Sequence, residues 1–299
     1  MNKARRPGRA VQISRVLGAG VLFILLLAAG LVALGRRTAR KLLGSRSADG
    51  LQAGGVDPAA RGISVFFPMY NDETTIERLV NQASQVLSSL TDDHEIWIIN
   101  DGSGDRTKEI ADRLSAGNPR VKVLHHPVNR GYGGALKSGF ENAGRGLVFY
   151  TDGDGQFDIR ELELLFSRRF EADVINGYKV SRNDSGLRKV LGKVYNAGAR
   201  FLFCIQISDV DCDFRLIRKE ALEGIELESE SGAICLELVK KIQDRGFTFA
   251  EVPVHHYHRE SGTSQFFTMA NLVRMLVDLL KLYLRLVLKP AIIKDWRPE

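Results

Sequence analysis

Between residues 63 and 176 the chain alternates five short apolar runs with stretches of helical periodicity. The runs are Ile63–Phe67, which ends at Pro68, then Glu95–Ile99, Val121–Leu124, Gly146–Phe149 and Asp173–Asn176. Amphipathic segments at 73–90, from 107 to Ser115, and from Asn129 through Gly144 separate the first four. Strands that alternate with helices need right-handed crossovers. They predict an α/β domain with a mostly parallel sheet covered by helices on both faces. Beyond Gly177 the alternation fades. A helix is expected over Arg188–Phe203, an irregular strand over Val210–Ile217, a helix over Ala233–Arg245 and a strand over Phe247–Val254. The polar loop His255–Ser264 follows.

The fourth run feeds directly into Tyr150-Thr151-Asp152-Gly153-Asp154-Gly155-Gln156-Phe157-Asp158. Ligands of open α/β sheets bind at the carboxyl ends of strands, so this turn lies where chemistry is expected. Asp152 and Asp154 are two apart and point the same way on extended chain. Together they offer a hard divalent cation two carboxylate oxygens, and Gln156 can add a carbonyl. Such an ion would neutralise a nucleotide's diphosphate. The competing reading is an acidic turn that caps the helix beginning near Ile159. At the end of the first run, an aromatic ring in Phe67-Pro68-Met69-Tyr70-Asn71-Asp72 can stack on a nucleobase, and Asp72 can accept from a base or ribose. Asp101, closing the second run, could accept from a base N–H. Either carboxylate could equally cap the helix that follows it. Asn129–Gly134 has neither GxGxxG spacing nor a Walker Lys-Ser pair, which argues against dinucleotide and P-loop readings.

The net charge is +6, with Lys and Arg gathered at the amino terminus, in 179–200 and near the carboxyl end. None of these clusters is interleaved with aromatics, so anionic lipid or phosphate is a better partner than nucleic acid. Val16–Leu34 holds 19 residues without a charge, flanked by arginines on both sides, and reads as a membrane anchor. Basic flanks on both sides leave its orientation open. Residues 44–62, rich in Gly, Ala and Ser, read as a linker. The expected organisation is a tail and transmembrane helix at 1–43, this linker, a catalytic domain at 63–263 and a membrane-associated end at 264–299. From Phe266 to Leu288 the charges Arg274, Asp278, Lys281 and Arg285 fall on one helical stripe, which predicts a helix lying in the membrane interface. Packing against the domain or against a second copy of the chain is the other way to cover its apolar face. Cys204, Cys212 and Cys235 are far apart and fit reduced cytosolic thiols.

Taken in order, FFPMYND, NDGSGDRT, NRGYGGALKSGF and TDGDGQFD resemble the GT-A fold of family 2 glycosyltransferases. The later segments NGYKVSR, RKVLGKVYN, SDVDCDFRLIRKEAL and EVPVHHYHRESGTSQF resemble the dolichyl-phosphate mannose synthase and polyprenyl-phosphate hexose transferase branch. The likeness covers about Ile63 to Phe267 and is specific as an ordered set. It implies a Rossmann-like GT-A domain, a nucleotide-sugar donor, a Mg²⁺ or Mn²⁺ ion, and a polyprenyl phosphate acceptor. Position by position it assigns nucleotide binding to Pro68, Tyr70, Asp72, Asp101 and Lys137, with Asp72 standing where Glu is usual. The metal set is Asp152, Asp154 and Gln156. The acceptor phosphate falls to Lys179, Arg182, Arg188, Arg215, Arg259 and Ser264. Lys179 replaces an Arg, Gln265 replaces a Lys, and Cys212-Asp213 replace Ser-Gly. Asp209 matches an orienting Asp near the acceptor and, with Asp152, Asp154 and Arg188, completes the catalytic group.

A lipid phosphate is already ionised at neutral pH, so it can attack an anomeric carbon without a base. The protein's task is to screen two anions from each other, which the cations named above would do. The expectation is therefore an inverting hexose transfer from a UDP- or GDP-sugar at the cytoplasmic face of the cell membrane. The alternatives are the same fold serving another lipid or polysaccharide acceptor, or a non-catalytic membrane scaffold.

Overall fold

The structure, a computed structural model, describes residues 62–182, 186–259 and 269–288. The expected span 16–34, most of the linker, Ser264 and Gln265 lie outside the described residues, as do the side chains of Arg182 and Arg188. Among the described residues no helix is long and apolar enough to cross a membrane.

The strands are β1 (Ile63–Met69), β2 (His94–Asn100), β3 (Val121–His125), β4 (Leu147–Thr151), β5 (Val174–Arg182), β6 (Phe214–Arg218) and β7 (Phe249–His256). The helices are α1 (Ile76–Leu90), α2 (Thr107–Gly117), α3 (Gly131–Asn142), α4 (Leu162–Ser167), α5 (Gly186–Phe203), α6 (Lys219–Leu222), α7 (Ala233–Asp244) and α8 (Met269–Tyr283). A wider-wound turn, Leu284–Leu288, extends α8. The seven strands form one sheet in the order β3-β2-β1-β4-β6-β5-β7. β6 alone runs antiparallel, wedged between β4 and β5. The irregular strand expected from Val210 is thus shorter, Phe214–Arg218, because the preceding Asp-rich segment is a loop.

Period-two alternation along the strands divides the apolar side chains between two cores. Val65, Phe67 and Ile98 face α1, α2 and α4, whereas Phe66, Ile99 and Tyr150 face α3 and α7. Phe66 stacks on Tyr150 with ring centroids 5.5 Å apart, and Phe140 of α3 meets both rings edge-on. Strands buried on both faces leave only their carboxyl ends open, so all connections that reach a ligand leave from one edge.

The opposite edge is held by a buried carboxylate. Glu95 accepts from Ser64 Oγ at 2.6 Å, Lys122 Nζ at 2.7 Å and the Gly144 N–H at 2.8 Å. Burial opposes its charge, but these donors, Lys122 foremost, bring its pKa down from 4.5 to about 2. A depressed carboxylate adds stability that is complete above its unfolded pKa and is lost as pH falls through the folded one. Glu95→Gln should therefore remove about 2 kcal/mol of stability at pH 7 and little near pH 2. Urea denaturation at several pH values checks this.

Candidate active site

Five strand-exit segments meet at the open edge. Those after β1 and β2 are interlocked. Asn71, in a left-handed conformation at φ 57°, accepts from the Gly104 N–H at 2.8 Å and donates its own N–H to Ser103 Oγ at 3.0 Å. The Asp72 N–H bonds Thr107 Oγ1 at 2.9 Å, and the Asp101 N–H bonds the Met69 carbonyl at 2.9 Å. Tyr70 is left half-exposed, able to stack on a flat ligand. Pro68 is buried in β1 and contributes backbone only.

The acidic turn packs onto this pair of loops. A Cβ on Gly153 would lie 2.3 Å from Met69 Sδ and 2.7 Å from the Pro68 carbonyl, so only glycine permits the approach. Gly155, at φ 74°, lets the chain bend back. The Gly153 carbonyl accepts from Thr75 Oγ1 at 2.6 Å, and Gln156 donates its N–H to Asp154 Oδ1 at 3.0 Å. Asp152 Oδ1 accepts from Tyr132 Oη at 2.7 Å. Asp154 Oδ2 accepts from Arg259 Nη2 at 2.5 Å, tying the β7 exit to the turn. The Gln156 side-chain amide donates to the Tyr257 carbonyl at 2.9 Å.

These carboxylates crowd one another. Burial first, then the charges of Asp213 and Asp154, push Asp152 well above the carboxylate range. Asp72 rises to about 6 through burial, with Asp154 adding repulsion. The β4–β6 register pairs Thr151 with Phe214, so the next position sets Asp152 across from Asp213. Asp211 is raised to about 7, by burial first and then by Asp209 and Asp213, against the pull of Lys179. Lys179 donates Nζ to the Asp211 carbonyl at 2.6 Å, and its N–H to Asp209 Oδ2 at 3.3 Å. Burial works against its charge, yet Asp209 and its neighbours raise its pKa.

The donor set suits a hard divalent ion. Among the described residues no three His, Cys, Asp or Glu side chains close around one point. Asp152 and Asp154 would supply carboxylate oxygens, and diphosphate oxygens and water the remainder, as Mg²⁺ sites commonly do. Arg259 already occupies one Asp154 oxygen as a countercharge.

Not every expected residue joins this group. Arg215 is fully buried, and its guanidinium is spent on Asn176 Oδ1, Tyr150 Oη at 2.7 Å and the Val210 carbonyl at 2.6 Å. It is a strut beneath the 209–213 loop rather than an acceptor-phosphate group. Lys137 donates Nζ to the Glu228 carbonyl at 3.0 Å. Arg182 and Arg188 contribute backbone to β5 and α5. Asp101 is buried and accepts from His126 Nδ1 at 2.6 Å and the Arg130 N–H at 2.8 Å. A cleft of about 270 Å³ opens beside it, lined by Asn100, Ser103, Lys108, His125 and His126. Tyr132 and His126 carry roles the sequence reading did not assign. Tyr132 could have been noticed as the lone bulky side chain in a glycine-rich helix start, whereas nothing marked His126.

A family model described as glycosyl transferase family 2 matches residues 64–225. The chain belongs to that family. Glycosyltransferase AglD of Haloferax volcanii is 30% identical over 77% of this chain, which spans 38% of that relative's length. Polyprenol monophosphomannose synthase of Mycolicibacterium smegmatis is 31% identical over 72% of this chain and 86% of its own. Among solved structures, glucosyl-3-phosphoglycerate synthase from Mycobacterium tuberculosis, in complex with Mn²⁺, UDP and glucosyl-3-phosphoglycerate, superposes with a TM-score of 0.59. That match is 19% identical, covers 79% of this chain and 85% of that one, and shows a shared GT-A-like fold.

Two substitutions should separate strut from site in this family 2 enzyme. Arg215→Met leaves three buried acceptors unpaired and should cost about 3 kcal/mol of stability. Arg259→Gln should leave the thermal midpoint within a few degrees while weakening catalysis about 100-fold. Thermal melts run beside glycosyl-transfer assays check both.

Proposed function

We propose that the chain is an inverting, metal-dependent glycosyltransferase that moves a hexose from a UDP- or GDP-sugar to a polyprenyl phosphate at the cytoplasmic face of a membrane. The observation that carries this reading is the gathering of Asp101, Asp72, Asp152 and Asp154 on the exit loops of β1, β2 and β4, which are interlocked at one sheet edge. The polyprenol acceptor named for the mycobacterial relative supports the choice of lipid. The Mn²⁺ and UDP bound by the tuberculosis enzyme fit a metal–nucleotide site of this kind.

In this mechanism Tyr70 stacks on the base, Asp101 accepts from its edge and Asp72 accepts from the ribose. Tyr132 holds Asp152 and Arg259 holds Asp154, so the carboxylates are oriented before substrate arrives. The ion, when bound, neutralises charge on the leaving nucleoside diphosphate. Lys179, with Arg182, Arg188 and Arg259, screens the acceptor phosphate from the donor. The family resemblance adds Ser264 to the acceptor group, and Asp209 orients that group by fixing the backbone at Lys179. Direct attack by the acceptor oxygen inverts the anomeric centre.

The reading of a membrane-facing carboxyl end is supported by the way α8 is rotated. Asp278 accepts from Ser231 Oγ at 2.7 Å, and Arg285 pairs with Glu228 and lies 3.7 Å from Glu237. Two of the four charges on the stripe therefore turn toward the domain rather than toward headgroups. Val277, Leu280 and Leu284 are exposed, at offsets of three and four that make one face. Arg274 and Lys281 flank that face. An apolar strip bordered by cations suits the headgroup–acyl boundary. The double substitution Leu280→Asp/Leu284→Asp should lower transfer to undecaprenyl phosphate in liposomes about tenfold while sparing a short, water-soluble prenyl phosphate. Equal losses on both acceptors would remove the membrane role.

A hydroxyl acceptor is the second reading. It is favoured by Asp211, whose carboxyl at about 7 would suit a general base. Membranes carrying the protein, incubated with labelled nucleotide sugars and undecaprenyl phosphate, decide between them. One labelled lipid should form, disappear with EDTA and return with Mg²⁺ or Mn²⁺. Asp154→Asn should reduce it at least about 100-fold, and Asp211→Asn should leave most of it. Label entering only a polysaccharide, or lipid product that survives Asp154→Asn, contradicts the proposal.

A further inference from the structure

We propose that His126 is the positioning residue of the base-reading carboxylate, and that this imidazole governs how strongly the site prefers one nucleobase over another. The inference rests on the nucleotide-sugar reading above and adds a residue to it.

Asp101 stands at the exit of β2, 3% exposed. Its two partners converge on one oxygen: His126 Nδ1 lies 2.6 Å from Oδ1, and the Arg130 N–H donates to the same atom at 2.8 Å. Among the described residues, Oδ2 accepts no hydrogen bond. A carboxylate held this way cannot rotate without giving up both donors. Its second oxygen is therefore presented in one direction, as an acceptor for a ring N–H.

The imidazole is itself clamped. Nε2 lies 2.9 Å from Ser138 Oγ on α3, and Arg130 Nη1 approaches both groups, at 3.5 Å and 3.4 Å. A guanidinium only donates, so the approach of Arg130 Nη1 assigns Nε2 as an acceptor, open also to the Ser138 hydroxyl, and leaves Nδ1 as the donor to Asp101. The side chains of His126 and Asp101 are each 4% exposed. Three elements, the exits of β2 and β3 and the body of α3, thus meet in an Asp101–His126–Ser138 relay. A buried histidine is commonly no more than a satisfied core group. This one holds Oδ1 of Asp101 through Nδ1, and it lines the cleft together with Asn100 and Gly102, the residues on either side of Asp101.

Base discrimination is a difference between a satisfied and an unsatisfied N–H in a desolvated site. Losing the fixed acceptor should flatten the difference between bases more than it weakens binding of the shared diphosphate. The probes are UDP, GDP, CDP and ADP, titrated calorimetrically into the full-length protein in detergent with Mn²⁺ present. The unaltered protein should favour one base by about 10- to 100-fold. In His126→Phe the four affinities should fall within about threefold of one another, and the catalytic loss should appear in KM for the donor with kcat changed less than about threefold. His126→Asn, whose amide can replace the Nδ1–H donor, should restore most of the preference. A purely structural role would lower the melting temperature of His126→Phe and leave the ranking of bases as it was, and that result overturns the inference. Should His126→Phe fail to fold, Ser138→Ala loosens the ring without touching Asp101. A preference undiminished in Ser138→Ala would overturn the inference as well. Failure of the unaltered protein to bind any of the four defeats the nucleotide-sugar reading and this inference with it. A clear preference that persists in His126→Phe defeats the inference alone.

Discussion

Carboxylates crowded around the exit of one strand set the condition that the surrounding structure answers. Asp152 and Asp154 leave β4, Asp213 stands across from Asp152, and Asp72 presses in from the neighbouring loop. Like charges at such separations destabilise a fold unless a proton, a cation or a hydrogen bond divides them. Each such countercharge or donor belongs to a different segment. Arg259 comes from the segment after β7, Lys179 from β5 and Tyr132 from α3. Asp152 and Asp154 are the carboxylates that would hold a divalent ion, which would supply further positive charge at this turn.

The sheet makes this arrangement possible. Parallel β1, β2 and β4 deliver their exit loops to one edge, and antiparallel β6 returns the chain beneath them. That reversal brings the 209–213 loop against the acidic turn. It also buries Arg215, whose bonds to Asn176, Tyr150 and Val210 tie β5, β4 and the loop together. Arg215 is fully buried and three of its N–H groups are bonded to protein acceptors, so its charge is held inside the fold and out of a ligand's reach. Chemistry at the edge therefore depends on a charge that never reaches it.

How much of this was legible in the sequence follows from what spacing can encode. Alternating apolar runs revealed β1 to β4 nearly to their ends, whereas β5 runs on past Asn176 to Arg182 through polar residues that carry no apolar signal, and the two-residue step from Asp152 to Asp154 placed both at a strand's open end. Motif order supplied the family resemblance. Spacing does not tell which side chains from distant segments will meet. Arg215 looked like a phosphate ligand because its motif places it near the acceptor, yet it lies on β6, a strand inside the sheet that is buried on both faces. His126 and Asp101 are 25 positions apart, and their contact depends on β2 and β3 being neighbours. The charged stripe of α8 was visible by periodicity. Its rotation toward Ser231 and Glu228 depends on the loop before α7, for which no local signal exists.

The most direct test of the central claim is Mn²⁺ binding followed by electron paramagnetic resonance, with UDP or GDP present and absent. If the carboxylates of the β4 exit hold the ion against a diphosphate, the free Mn²⁺ signal should fall steeply only when nucleotide is added, and Asp152→Asn or Asp154→Asn should restore it. Equal Mn²⁺ uptake by the unaltered and substituted proteins, or uptake indifferent to nucleotide, would contradict the account.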